Sequence, residues 1–181
     1  MRVFIAIGLN KEIKEYIKEI QKVIKINAVK GNFTSPDNFH LTLKYIGEIN
    51  GQELQLIKAG LKKAVRNQRR FTLSTGKPGY FTRKNKKIIW LGIKGQEEIL
   101  TALYHEIEES LYKNGFNKEE RSLKPHITIG REVILEDILK IQDDIILEEK
   151  SFVVDEVIIM ESTREAGSLI YKPIHKEGLS E

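Results

Sequence analysis

Two short stretches carry the residues best suited to chemistry. "NFHLTLKYIG" contains His40 and Thr42, and "LKPHITIGR" contains His126 and Thr128. Both read His-apolar-Thr-apolar, and the chain has only four histidines. In a β-strand, residues i and i+2 project from one face. His40 and Thr42 would then stand side by side with Leu41 and Leu43 turned into a core, and His126 and Thr128 would do the same over Ile127 and Ile129. An imidazole titrates near pH 6.5 and can give or take a proton at neutral pH. Two such pairs facing one another could supply a general acid and a general base on opposite sides of a phosphorus, while the threonine hydroxyls hold its oxygens. That chemistry suits hydrolysis of a phosphodiester, above all a strained cyclic one. With four histidines and eight threonines in 181 residues, chance gives only about 0.2 His-x-Thr triplets.

Composition removes other classes of chemistry. There is no cysteine, which excludes disulfides, thiolate metal sites and cysteine nucleophiles. No HExxH and no paired carboxylate–histidine cluster proposes a metal, and no cofactor motif is present. A net charge of +4 is compatible with a phosphate-bearing partner without requiring one. No apolar run is long enough for a membrane helix. "MRVFIAIGLNKEI" reads as a first strand, not a signal peptide, so the cytoplasm is the expected compartment and no membrane partner is expected.

The elements that must position these residues follow from periodicity. "KEIKEYIKEIQKVIKI" puts Ile13, Ile17, Ile20 and Ile24 on one helical face. "GQELQLIKAGLKKAVRN" does so with Leu54, Ile57, Leu61 and Val65, and "EEILTALYHEIEESLYKNG" with Ile99, Leu103, Ile107 and Leu111, stopping at Gly115. "ILEDILKIQDDI" reads as a shorter fourth helix. Strand-like runs lie between: "RVFIAIG", "FHLTLKYI", "FTLSTG", "KIIWLGI", "HITIG", "SFVVDEVIIMES" and "SLIYKPI". The expected fold is α+β, a single two-lobed unit over residues 1–181. Two similar lobes, with mainly antiparallel sheets, would each contribute one His-Thr copy to a central cleft.

At these residues the chain resembles the two-histidine phosphoesterase superfamily, and within it the LigT-like RNA 2′,3′-cyclic phosphodiesterases. "RVFIAI", "NFHLTLKYIGEI", "IIWLGI", "KPHITIGR" and "VDEVIIMES" carry the likeness over nearly the whole chain. The resemblance implies a pseudo-two-fold arrangement of lobes and metal-independent hydrolysis of 2′,3′-cyclic phosphate RNA ends, including those of tRNA fragments, to 2′-phosphomonoesters. It matches His40 to the proton donor, His126 to the proton acceptor, and Thr42 and Thr128 to the phosphate-holding threonines. From the residues alone the two histidine roles are interchangeable. Some relatives also join or cleave 2′-5′ linkages in RNA without ATP. One departure is His175 after "YKP", where several members carry a tryptophan.

Around this core of four, Lys44 at i+4 from His40 is expected to share the cleft face and meet a phosphate. Arg131 matches an arginine that follows the second motif in relatives. "KPGYFTRKNKK" interleaves Tyr80 and Phe81 with cations, a composition suited to stacking on single-stranded RNA, although such a run more commonly marks a charged hairpin loop. Phe4 and Tyr171 are candidates for the cleft floor or for ordinary core aromatics. His105 reads as a surface residue on its helix, and His175 receives no catalytic role. A monomer is expected. Two other functions fit the same residues. One is a cyclic phosphodiesterase for a small nucleotide, such as an ADP-ribose cyclic phosphate or a 2′-5′ oligonucleotide. The other is a nucleotide- or RNA-binding module without turnover.

Overall fold

In the computed structural model, which describes residues 1–135 and 148–181 except the Arg83 side chain, the expected strands and helices alternate. Strand β1 (Arg2–Gly8) leads to helix α1 (Lys11–Ile26), then to β2 (Ala28–Phe33), β3 (His40–Glu48) and helix α2 (Gly51–Val65). The hairpin β4 (Phe71–Arg83) and β5 (Lys86–Gly95) is followed by helix α3 (Glu97–Lys113) and by β6 (His126–Leu135). Last come β7 (Ser151–Val154), β8 (Glu156–Glu165) and β9 (Ser168–Gly178). The fourth periodic segment falls almost wholly outside the described residues.

Three local signals set the helix bounds. Asn10 caps α1 by accepting from the Ile13 amide at 2.9 Å. Asn50 and Glu53 form a reciprocal capping box at the start of α2. Gly115, with φ +91°, ends the turn after α3. The buried face of α3 is Leu100, Leu103, Tyr104, Ile107 and Leu111, one step round from the expected stripe, and Ile99 lies on its exposed flank. The run "SFVVDEVIIMES" breaks at Asp155 into two strands. "KPGYFTR" is not a loop: β4 runs through it to a two-residue turn at Lys84 and Asn85.

All nine strands among the described residues join one sheet in the order β7-β4-β5-β6-β3-β1-β8-β9, with β2 on β6. Every ladder is antiparallel. Along that path four strands lie on each side of the β6–β3 junction, with β2 added against β6, so the order itself has the two-lobed form expected. Because Asp155 alone separates β7 at one end from β8 in the other lobe, the sheet must curl. The Leu179 amide, bonded to the Asp155 carbonyl at 2.7 Å, and the Arg69–Ser180 bridge close that side. Apolar faces of α1, α2 and α3 pack with the strands into one continuous core. No helix among the described residues is long and apolar enough to cross a membrane.

The expected placement of Lys44 does not hold. Ala6 pairs with Thr42, but Ile5 pairs with Lys44, so β3 has one residue too many at Leu43. A β-bulge of this kind shifts the inside–outside alternation beyond it, and Leu43 and Lys44 are consecutively buried. The Lys44 ammonium thus points away from His40 and toward α3. It donates to both Glu108 carboxylate oxygens at 2.7 and 2.8 Å and to the Asn117 carbonyl at 2.8 Å. Glu108 also accepts from the Glu119 amide. This lysine clamps the 115–119 loop and α3 onto β3. Glu108→Leu should cost about 3–5 kcal/mol in urea unfolding, because it strands a buried cation, and adding Lys44→Met should recover most of it. Equal losses in the single and double variants would show that the pair itself, not the stranded charge, carries the stability.

Candidate functional site

The site begins at the junction. Strands β3 and β6 share one register pair, Leu41↔Ile127, and both side chains are fully buried. These are the central residues of the two motifs. In an antiparallel pair, opposed residues share a face, so the neighbours on either side share the other one. His40 comes beside Thr128, and Thr42 beside His126. All four side chains emerge together on the face opposite Leu41 and Ile127, half-buried.

The flanking strands repeat this symmetry. On β1, Ile7 pairs with Leu41 and Gly8 with His40; on β5, Leu91 pairs with Ile127 and Gly92 with His126. A glycine thus stands opposite each histidine. A Cβ on Gly8 would lie 2.9 Å from Ile158 Cδ1, and one on Gly92 would lie 3.1 Å from the Lys77 carbonyl. A side chain at either position would press on its neighbours, Ile158 at Gly8 and the Lys77 backbone at Gly92. The signal was present in the sequence as "AIG" and "WLG", each one strand away from a motif, but only the register gives it meaning.

Backbone carbonyls fix the rings. His40 Nδ1 lies 2.7 Å from the Asn38 carbonyl oxygen, and His126 Nδ1 lies 2.6 Å from that of Lys124. A carbonyl can only accept, so Nδ1 carries the proton in both rings and Nε2 is the exchangeable nitrogen. His40 Nε2 is 2.9 Å from the Thr42 hydroxyl, which donates to it in the neutral ring. Asn38 is itself held, donating to the Leu169 carbonyl at 2.8 Å and accepting from the Tyr171 amide at 3.1 Å.

Aromatic rings wall each histidine. Phe4 and Tyr171 lie 4.8 and 5.1 Å from His40, centroid to centroid, and 4.9 Å from each other. Phe81 and Trp90 lie 5.4 and 6.2 Å from His126. Trp90 can lie flat on β4 only because residue 79 is glycine, where a Cβ would come within 2.3 Å of the indole. Tyr80, next to Phe81 in the strand, falls on the opposite face, with the Lys87 ammonium 4.1 Å from its ring. His105 is exposed against Tyr104, and His175 pairs with Glu177 at 2.7 Å; neither joins the cleft. Trp90, Gly79 and the paired glycines were not singled out from the sequence, and nor was Lys14.

Burial holds the His40 imidazole well below its ordinary 6.5, at about 4. The Asn38 carbonyl opposes this, while the positive charges of Arg131, His126 and Lys14 add to it. Arg131 is exposed on β6 and makes no ion pair among the described residues, yet its charge reaches His40. Lys14 donates to the Asp37 carbonyl at 2.9 Å at the rim of a cavity of about 650 Å³ beside His40. That cavity is floored by Ile158 and Met160 and bounded by Tyr171 and Lys176. Among the described residues, no group of three or more His, Asp or Glu side chains is gathered to hold a metal.

Comparison with known proteins points to one family. The model of the 2′-5′ RNA ligase superfamily matches residues 11–166. An RNA 2′,3′-cyclic phosphodiesterase of Thermotoga maritima is 35% identical over 147 residues, 76% of this chain and 78% of the relative. An RNA 2′,3′-cyclic phosphodiesterase of Escherichia coli is 29% identical over 131 residues, 72% of each chain. The crystal structure of Escherichia coli LigT complexed with 3′-AMP shares the fold with a TM-score of 0.80 at 26% identity, covering 99% of this chain and 98% of that one.

The depressed basicity of His40 ties stability to pH. The folded value of about 4 lies below the unfolded 6.5, so the unfolded chain binds the proton more readily. Stability is unaffected above pH 6.5 and falls as pH drops toward 4, by about 3 kcal/mol from this group. Urea unfolding at pH 7 and pH 4 should show the wild type losing about that much more than His40→Gln. The same loss in both proteins would mean that His40 is not held neutral by its surroundings.

Proposed function

The chain belongs to the 2′-5′ RNA ligase superfamily, and from that premise we propose that it opens 2′,3′-cyclic phosphates at RNA ends to 2′-phosphomonoesters by a paired-histidine mechanism. The observation that carries the reading is the Leu41↔Ile127 pairing, which turns both His-Thr pairs to one face, each imidazole anchored through Nδ1 so that Nε2 is its exchangeable nitrogen. In-line displacement at phosphorus needs a proton acceptor on one side and a proton donor on the other. His126 Nε2 takes a proton from water as the water oxygen bonds to phosphorus. The bond from phosphorus to the 3′ oxygen breaks, and His40 Nε2–H protonates that oxygen. Thr42 and Thr128 donate to the non-bridging oxygens, where negative charge grows.

His40 is neutral in the free protein at pH 7, so its donor role depends on substrate. A phosphodiester anion beside the ring favours the imidazolium, and protonation then accompanies binding. A proton held against its burial cost is readily given up to the leaving oxygen. Arg131 contributes charge to the bound phosphate, and the cavity beside His40 has the size of a nucleoside site. Phe4 and Tyr171 position His40, and Phe81 and Trp90 position His126. With an RNA 5′ hydroxyl in place of water, the same step forms a 2′-5′ linkage without ATP. No step requires a metal, and the protein works as a monomer on RNA ends, those of tRNA fragments included.

The test is turnover of a nucleoside 2′,3′-cyclic phosphate and of a short RNA ending in one, with EDTA present. His40→Ala and His126→Ala should each lower kcat by about 10²–10⁴ while remaining folded, the range for loss of one acid–base group. Thr42→Val and Thr128→Val should lower it by about 10²–10³. Full activity in either histidine variant, or abolition by EDTA, would refute the mechanism. Absence of turnover by folded wild type on both substrates would refute the reaction.

A further inference from the structure

A second cavity, of about 380 Å³, lies between Arg131 and the turn that joins β4 to β5. It is lined by Lys84, Lys86, Lys87, Ile88 and Arg131, with Glu132. We propose that it binds the phosphodiester and base of the nucleotide just upstream of the cyclic end, so that the protein grips single-stranded RNA and not the terminal phosphate alone. This inference rests on the phosphodiesterase reading.

Register connects the cavity to the histidines. Gly79 pairs with Trp90 and Phe81 with Ile88, so Trp90, Ile88 and Lys86 follow one another along the face that carries Phe81. On β6, Thr128 is followed three residues later by Arg131. Because β3 and β6 run antiparallel through Leu41↔Ile127, this end of β6 adjoins the start of β3, where His40 sits. The cavity beside His40 opens at that end too. A chain leaving the first cavity can therefore enter the second without crossing the motifs.

Charge and shape fit an anionic strand. Glu132 is bonded to Lys86 at 2.8 Å and to Asn32 at 3.1 Å, so its carboxylate is already matched. Lys84 and Arg131 remain exposed and without ion pairs among the described residues. Ile88 and the aliphatic stems of the lysines offer apolar surface for a base. The backbone is also unusual here. Lys84 has φ +57° and Glu132 has φ +54°, two of the three non-glycine residues in the left-handed region among the described residues. A two-residue hairpin turn favours Asn or Gly at such positions, and a lysine at the first of them keeps a cation at the tip against a local cost. Backbone strain of this kind gathers at functional sites. Lys87, its ammonium 4.1 Å from the Tyr80 ring, also lines the cavity.

The experiment compares kcat/KM for a tetranucleotide ending in a 2′,3′-cyclic phosphate with that for the nucleoside 2′,3′-cyclic phosphate. Wild type should prefer the tetranucleotide. Lys84→Glu should lower kcat/KM for the tetranucleotide about tenfold and leave the nucleoside unchanged, whereas Lys84→Arg should behave as wild type. The slope of log kcat/KM for the tetranucleotide against log salt should become shallower in Lys84→Glu by about 0.7, the single-strand value for one lost phosphate contact. No preference in wild type, or an unchanged ratio of the two substrates in Lys84→Glu, would overturn the proposal. If neither substrate turns over, the phosphodiesterase reading has failed. Fluorescence anisotropy of a labelled tetranucleotide on wild type and Lys84→Glu would then still decide whether this surface holds RNA.

Discussion

One pair of buried side chains, Leu41 against Ile127, is what the two halves of the molecule share along their strands. Among the described residues it is the sole register pair between β3 and β6, and all the geometry of the cleft descends from it. An antiparallel pair centred on those residues puts their flanking histidines and threonines on the opposite face, alternating His-Thr and Thr-His across the seam. With a different pairing partner for either strand, each motif would still present a histidine and a threonine, but they would face different surfaces. The apolar residues between the polar ones are therefore as much a part of the site as the polar ones.

From that seam outward the two lobes solve the same problem in parallel. Each ring has its Nδ1 proton held by the carbonyl two residues upstream, has a glycine opposite it on the next strand, and stands between two aromatic rings. The lobes differ in charge and burial more than in plan. Burial above all, with the charges of Arg131 and Lys14 adding to it, holds the basicity of His40 down.

Lys44 shows how one extra residue redirects function to structure. Four positions after His40, it would meet the cleft in an ideal strand. The bulge at Leu43 turns it instead into a bidentate buried pair with Glu108. The chain thereby exchanges a cleft cation for a clamp on the loop that follows α3. Positive charge at the cleft comes instead from Arg131 and Lys14, brought in by different elements.

Local periodicity made much of this legible beforehand. The His-Thr repeats, the α1 stripe from Ile13 to Ile24, the Gly115 stop and the alternating strands each depend on residues within a few positions of one another, and side-chain direction there follows from backbone repeat alone. The pairing of an imidazole with a hydroxyl in each motif was readable for the same reason. What required the tertiary structure was every relation between distant segments: the Leu41↔Ile127 seam, Gly8 and Gly92 opposite the histidines, Trp90 lying on Gly79, and Tyr80 parted from Phe81 by the sheet. The bulge that diverts Lys44 belongs with these, since it exists only against β1. Register is set when strands pair, through burial summed over both partners, and no single stretch of sequence contains its partner.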